Sequence, residues 1–559
     1  MRAPLDNTRQ FRESSSIVSF ENCLIPDASQ SASAAAAAPD RGSAAPSTGE
    51  SVSSRWPHWL ALFLLTSGAA AIRVVRLGAK PFWFDECFSV ELARLSWGNF
   101  LHLLWWREAN MSLYYLLLRI WLAGAPFSAQ SESFVRGLSV VFSAATVPAI
   151  YWLGKLLFDR RVGLVAAALF TFNIYSIRYS QEARSYALFV LLATLSSGFL
   201  IAFLRNPTPR HRKAYVVCSI LAMYAHFYAL LLLAAHWIAL RALRGPRTDD
   251  RKTGTSAPGF DELSRAWRII SMSALPLLIF VAKTGAGPIR WIPRPGLSDL
   301  GRLAISFTNG LPLIYGCACL VSLIPVRKNV LSRGQGWEGW CTQFLFVWLL
   351  FPTLLTVALS FARPVFLPRY MIFCLPALVI LVAAGLVSIR PAWLSVPLTF
   401  LVLLLSTYSV HLVYNHDFDD ERDAAGAATD FILDHTQPGD AIVLHIAEAR
   451  VPYEFFRSLR AGENSSGAGF TKQLGPEILF PHSGAGLNYH DFTGKPTAES
   501  FRVGAAAHAR LWVMLMYNET TASQPDLTTE QMDRVLAREF SHMQRWEFPR
   551  VEVRLYEKN

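Results

Sequence analysis

"DRRVGLVAAALFTFNIYSIRYSQEARSYALFVLLATLSSGFLIAFLRNPTPRHRK", residues 159–213, decides how the chain is read. Two apolar runs, 163–178 and 186–204, are joined by a polar knot, "IRYSQEARSY" (177–186), and bracketed by the basic ends "DRR" and "RNPTPRHRK". Each run is near the ~20 residues that carry a helix across hydrocarbon. A soluble core helix needs no such run, and it would not return to a cluster of charge at each end.

The same pattern continues in both directions. Apolar runs at about 57–77, 134–157, 163–178, 186–204, 213–227, 229–244, 267–283, 302–325, 340–361, 370–388 and 391–412 predict about eleven transmembrane helices. Composition agrees. Of the 559 residues, 52% are hydrophobic and 17% charged, against the roughly 25% charged of soluble domains. The fold class expected is an α-helical polytopic membrane protein with a small C-terminal α/β domain.

Loop charge sets the expected orientation. The loops at 158–162, 205–213, 241–268 and 326–333 are rich in Arg and Lys and fall on one side, which makes that side cytoplasmic. The N-terminus is then cytoplasmic, and everything after about 412 lies outside a cell (inner or plasma) membrane. The net charge of +11 belongs to these loops and to lipid phosphates, and no nucleic-acid partner is expected. "MSLYYLLLRIWLAG" (111–124) is apolar but short and holds Arg119, so it reads as a helix lying on the outer face. Counting it as a span would reverse every earlier loop.

Residues 1–55, rich in Ala, Ser, Pro and Gly, read as a disordered cytoplasmic tail. They lack a signal-peptide core, and the first span is expected to act as an uncleaved signal anchor. Residues 56–412 form the expected membrane domain, with a first outer loop at 78–133. Residues 413–559 change character: "GDAIVLHI" (439–446), "ARLWVMLMY" (509–517) and "VEVRLYE" (551–557) read as strands, and "TTEQMDRVLAREF" (528–540) as an amphipathic helix. The seven Cys show neither zinc spacing nor a disulfide framework.

The chemistry gathers at the outer junctions. "PFWFDECFSV" (81–90) places Asp85 and Glu86 among four aromatic rings. A carboxylate in such low-dielectric surroundings suits a general base. In the polar knot, Arg178, Glu182, Arg184 and Tyr186 sit where idle ionisable groups are costly, and guanidinium groups bind phosphate through paired donors. Glu108 and Asn110 precede the surface helix, His226 ends a short span, and Arg363, Arg369 and Tyr370 lie in "RPVFLPRYM" (363–371). Lys283, Arg290 and Arg294 surround another outer loop. His445 and Glu448 follow the first C-terminal strand as candidate surface contacts, though ordinary strand-end polarity is the preferred account of them. "NSS" at 464 and "NET" at 518 match the glycosylation sequon, a pattern short enough to arise by chance. The outer face thus carries acids and Arg where loop charge alone predicts few. An anionic lipid-linked substrate handled there explains the pattern.

These stretches resemble the GT-C superfamily of integral-membrane glycosyltransferases. "FWFDECFS" is similar to the acidic motif after that family's first span, residues 159–193 to the block that follows, and "NMSLYYLLLRIWL" to its "HPPLYYLLL" helix. "YAHFYALLLLAAHW" and "LPRYMIFCLPAL" are similar too. The nearest groups are bacterial relatives of protein O-mannosyltransferases, aminoarabinose transferases and lipopolysaccharide galacturonosyltransferases. The resemblance covers about 57–412 and rests on motif order rather than on any single motif.

It implies an inverting glycosyltransferase that moves a sugar from a polyprenyl-phosphate donor to a lipid, glycan or protein acceptor. Asp85 matches the family's base, Glu86 its neighbour and Glu108 a second acid. Glu182 and Arg184 match the motif near the donor phosphate. Asn110, Met111 and Ser112 stand where the family has His-Pro-Pro, with only His102 nearby. The cofactor stays open: a divalent cation is compatible with the sequence and not required by it. The competing reading is a lipid-carrier transporter or flippase. Transporters show internal repeats and mid-membrane polar sites, whereas here the polar groups cluster at the outer junctions and no repeat stands out.

Overall fold

The computed structural model of the chain describes residues 56–126, 131–241, 259–285, 292–324, 336–415, 424–462, 474–481, 487–492, 502, 506–516 and 529–559. The tail at 1–55, the loop at 326–333, most of the loop at 241–268, Arg290 and both sequons lie outside the described residues.

Each expected span is helical over most of its described residues, with breaks at 172–173, 226–228 and 308–311. In order they are α1 (Trp56–Val74), α2 (Phe84–Arg94), α3 (Trp97–Trp106), α4 (Ser112–Ala123), α5 (Glu132–Leu157), α6 (Arg160–Thr171), α7 (Ile174–Ser180) and α8 (Tyr186–Arg205). Then come α9 (Pro209–Ala225), α10 (Ala229–Arg241), α11 (Gly259–Thr284), α12 (Leu297–Phe307), α13 (Pro312–Val321), α14 (Trp337–Ala362), α15 (Leu375–Ser388) and α16 (Ala392–Asn415). A 3-10 stretch, Pro368–Cys374, leads into α15.

Among the described residues, six helices are long and apolar enough to cross a membrane, or up to eight if each of two bent pairs is one span. The apolar part of α1 and the whole of α10 are shorter. The pairs bend by 59° between α6 and α7 and by 76° between α12 and α13. The bends have a local cause. Asn173 caps α7, its side chain accepting from the Ser176 N–H at 2.9 Å. It also donates to the Phe307 carbonyl and to Asn309 Oδ1 at 2.9 and 3.2 Å. Asn309, at φ 54°, returns a hydrogen bond to the Phe172 carbonyl at 3.0 Å. Each break therefore satisfies the other's freed backbone groups, which hydrocarbon would leave bare.

Small residues set the closest approaches. A Cβ on Gly163 would stand 2.6 Å from the Tyr151 carbonyl oxygen, so α5 and α6 touch backbone to backbone. A Cβ on Gly385 would stand 1.9 Å from the Ala318 carbonyl oxygen, where α13 meets α15. The outer surface of the bundle is itself apolar: Phe63, Met272, Leu354 and Phe400 are exposed. A surface of this kind fits lipid rather than water.

Arg73 is fully buried near the end of α1. It donates to Ser143 and Ser176 at 2.8 and 2.9 Å and to the Thr171 carbonyl at 3.2 Å. It thereby caps the C-terminal end of α6 at the bend. Arg119, the charge inside α4, donates to the carbonyls of Ala93 and Leu95 at the end of α2 and lies 4.1 Å from the Trp97 ring centre. Its contacts are structural.

The C-terminal part holds α17 (Ala425–His435), β1 (Ala441–His445), α18 (Arg450–Ala461), β2 (Glu477–Phe480), β3 (Arg510–Met516), α19 (Thr529–Leu536), β4 (His542–Phe548) and β5 (Val551–Glu557). The sheet order is β2-β1-β3-β5-β4. β1 is parallel to β2 and β3, and β3–β5–β4 are antiparallel. Alternate residues of β1 and β3 feed two cores. Val443, Leu511 and Val513 meet Met532 and Leu536 of α19, while Ile442, Leu444, Trp512 and Met514 meet Ala428 and Ile432 of α17 and Tyr453 of α18. The three strands and the helix expected from sequence are present. The short β2 and the exposed edge strand β4 carry no hydrophobic alternation to reveal them.

This domain is docked on α2 and the segment before it. Phe455 of α18 packs edge-on against Phe82 at 5.2 Å and lies under Arg94 of α2 at 5.6 Å. Phe492 packs against Phe88 of α2 at 4.9 Å. The segment that brings Phe492 there is anchored by a buried charge network in which Arg450 pairs with Asp491 at 2.6 Å and with Glu454 at 3.2 Å.

Candidate functional site

Helix α2 starts at the junction between membrane bundle and C-terminal domain, and its first turn carries both acids. Adjacent helical residues diverge by ~100°, and the two carboxylates accordingly part. Glu86 is fully buried. It reaches back to the Trp83 N–H at 3.4 Å, accepts from the Ala183 N–H at 2.9 Å and takes two bonds from Arg136 of α5, both 2.7 Å. Arg136 in turn donates to the carbonyls of Leu77, Lys80 and Pro81 at 2.8, 2.8 and 3.1 Å. Glu86 and Arg136 therefore fasten the end of α1, the start of α2 and the α7–α8 turn together.

Asp85 faces the other way. Its Oδ2 lies 3.7 Å from Arg184 Nη2 and 3.7 Å from Arg369 Nη1, and its side chain keeps 19% of its exposure. The contacts of Arg184 are loose. Nη1 reaches the Asp85 carbonyl at 3.4 Å, Ser89 Oγ at 3.3 Å and Tyr115 OH at 3.4 Å, and its Nε has no hydrogen-bond partner among the described residues. The Arg369 guanidinium lies over the rings of Trp83 and Tyr370 at 5.8 and 5.7 Å.

Aromatic residues wall the cluster. His226 interrupts the α9–α10 turn in an extended conformation and is fully buried. Its ring stacks on Phe189 at 5.1 Å and meets Tyr370 edge-on at 4.9 Å. Nδ1 accepts from the Tyr228 N–H at 3.2 Å, which leaves the proton on Nε2, and Nε2 has no partner among the described residues. Tyr186 is equally buried, its ring edge-on to Tyr179 at 5.0 Å and its hydroxyl unpartnered in the same sense. Buried donors left unmade are costly and call for an explanation.

Glu108 sits at the edge of this cluster, after α3. Burial pushes its carboxyl up to about 7, while Arg184 and Arg107 pull it down and Asp85 and Glu448 push it up. Asn110 accepts from the Phe227 N–H at 2.9 Å and so clasps the turn beside His226. Ser112 donates to the Tyr224 carbonyl at 3.4 Å. The two residues hold the start of α4 to the end of α9.

The structure gathers Asp85, Arg184, Tyr186, His226, Arg369 and Tyr370 in one place, with Glu108 beside them and Glu86 behind. Glu182 is buried in the same α7–α8 turn, whereas Arg178 is exposed on α7. Sequence reasoning missed Arg136. Its signal was an Arg just inside a long apolar run, where an ionisable group needs a partner. Among the described residues no group of three His, Cys, Asp or Glu side chains is placed to hold a metal ion, and Glu86 is committed to Arg136.

No family profile and no curated protein sequence matches the chain. Solved structures do. ArnT from Cupriavidus metallidurans in the apo state aligns with a TM-score of 0.56 at 10% identity, over 89% of this chain and 98% of that one. The same protein bound to undecaprenyl phosphate gives a TM-score of 0.53 at 11% identity and the same coverage. The archaeal oligosaccharyltransferase AglB from Archaeoglobus fulgidus, in complex with an inhibitory peptide and a dolichol-phosphate, gives 0.50 at 11% identity, over 82% of this chain and 69% of that one. Over 89% of its length the chain shares the fold of the ArnT structures.

Proposed function

We propose that the chain transfers a sugar from a polyprenyl-phosphate carrier to an acceptor hydroxyl at the outer face of a cell membrane, with inversion at the anomeric carbon. One observation carries this reading: a part-exposed carboxylate, Asp85, held between two guanidinium groups, Arg184 and Arg369, each 3.7 Å away, where the bundle meets the C-terminal domain. The structural neighbours that hold undecaprenyl phosphate or a dolichol-phosphate support the donor class. Basic loops on the opposite side support the orientation, with the N-terminus cytoplasmic and residues 413–559 extracytoplasmic.

In the reaction the acceptor oxygen attacks the anomeric carbon as the bond from that carbon to the phosphate oxygen breaks. The electron pair leaves with the phosphate, and the acceptor's proton passes to Asp85. Arg184 and Arg369 exchange their long contacts with Asp85 for the phosphate oxygens. A guanidinium binds such an anion through paired donors, and charge on the leaving phosphate is stabilised where it develops. The unpartnered Tyr186 hydroxyl and His226 Nε2–H supply neutral donors to the sugar or phosphate. Glu86 and Arg136 position Asp85 without touching substrate.

The test uses the purified chain and Asp85→Asn with a panel of radiolabelled polyprenyl-phosphate sugars and a membrane lipid and glycan extract. The parent is expected to transfer or slowly hydrolyse one donor, and the folded variant to do neither. Equal transfer by both would remove Asp85 from the mechanism. No turnover by the parent on any donor would remove the transferase reading.

A further inference from the structure

Beside the reaction cluster, the C-terminal domain contributes a charged side chain of its own. Glu448 lies in the 3-10 turn Ala447–Ala449 that follows β1, and its Oε1 accepts from Nη2 of Arg107. Arg107 caps α3 and is the residue before Glu108. The pair is part-buried, its side chains keeping 36% and 19% of their exposure. The domain that carries Glu448 is docked on α2, the helix of Asp85, through Phe455 and Phe492. The charged groups acting on Glu108 are Arg184 from the α7–α8 turn, Arg107 from α3, Asp85 from α2 and Glu448 from the C-terminal domain.

We propose that Glu448 is a positioning residue of the site: it engages the Arg107 guanidinium, so that the docked C-terminal domain decides whether Glu108 faces a free or a neutralised cation. This rests on the reading above, in which the cluster around Asp85 is the reaction compartment. The consequence follows from charge. A free cation beside Glu108 favours its carboxylate, and a second acid nearby disfavours it. Without Glu448, Arg107 is released and an acid is lost, and both changes favour ionised Glu108. Without Arg107, a cation is lost and an acid is left unpaired, and both changes favour neutral Glu108.

The test follows Glu108 directly in the full-length protein in detergent. pH-jump infrared difference spectra report its protonated carboxyl band, assigned by its loss in Glu108→Gln. Glu448→Gln should move the midpoint of this band to lower pH by up to about one unit, and Arg107→Gln should move it to higher pH by a similar amount. A salt bridge that only holds two domains together would give the same loss of stability in both variants and no opposed shift. Unmoved midpoints, or shifts of one sign in both, overturn the proposal. Should one variant fail to fold, the direction of the other still decides. The transfer assay is run alongside. Opposed band shifts in a protein that transfers no sugar would leave this coupling standing and remove the transferase reading. A working transferase with unmoved midpoints would do the reverse.

Discussion

At the scale of single residues, the account divides neighbours. Asp85→Asn keeps the shape and removes the base, and the expected loss in kcat is ~100- to 10,000-fold. Glu86→Gln should act instead on folding. It leaves Arg136 charged and buried, a change that costs ~3–5 kcal/mol in comparable sites, read as a lowered thermal midpoint in detergent. Glu108 should mark the pH profile. Its carboxyl is raised from 4.5 to about 7 in the folded chain, so the folded state holds a proton there that the unfolded state has lost. Its contribution to stability therefore falls as pH rises from 4.5 to about 7. Glu108→Gln should flatten that slope and erase any activity limb near 7, as pH-dependent melting and kinetics would show. Much of this was legible in sequence, because ionisable groups at the ends of apolar runs stand out. The separate duties of Asp85 and Glu86 were not, since adjacency in sequence hides the turn of the helix. Nor was the pairing of Arg107 with Glu448, 341 positions apart.

Helices and strands repeat the lesson on a larger scale. Long apolar runs announced the helices. The breaks at Asn173 and Asn309 were hidden, because one polar residue in an apolar run looks tolerable until its partner across space is seen. The edge strand β4 was hidden because its exposed side chains follow no alternation. The contact between α5 and α6 gives a direct test. Gly163→Val places side-chain atoms where a Cβ alone would be 2.6 Å from the Tyr151 carbonyl oxygen. Overpacking of this kind costs ~1–3 kcal/mol. The variant should unfold at lower temperature while any surviving folded protein keeps its donor binding, because the Asp85 cluster lies elsewhere.

For the whole molecule, the bundle, the outer loop and the C-terminal domain act as one assembly: α2 carries the acid, the bundle supplies Arg184 and Arg369, and the C-terminal domain closes over α2 through Phe455 and Phe492. The orientation proposed makes a clear demand. A cysteine at exposed His490 should react with an impermeant thiol reagent on intact cells, and one at exposed Arg210 only after permeabilisation. Reversed labelling would turn the molecule over and place the cluster on the cytoplasmic side. The measurement that tests the central claim most directly is a structure of the full chain in lipid nanodiscs with a polyprenyl phosphate. The account predicts the phosphate within hydrogen-bonding distance of Arg184 and Arg369, with Asp85 freed beside it. A phosphate bound away from these residues, with Asp85 still held between its two cations, would contradict it.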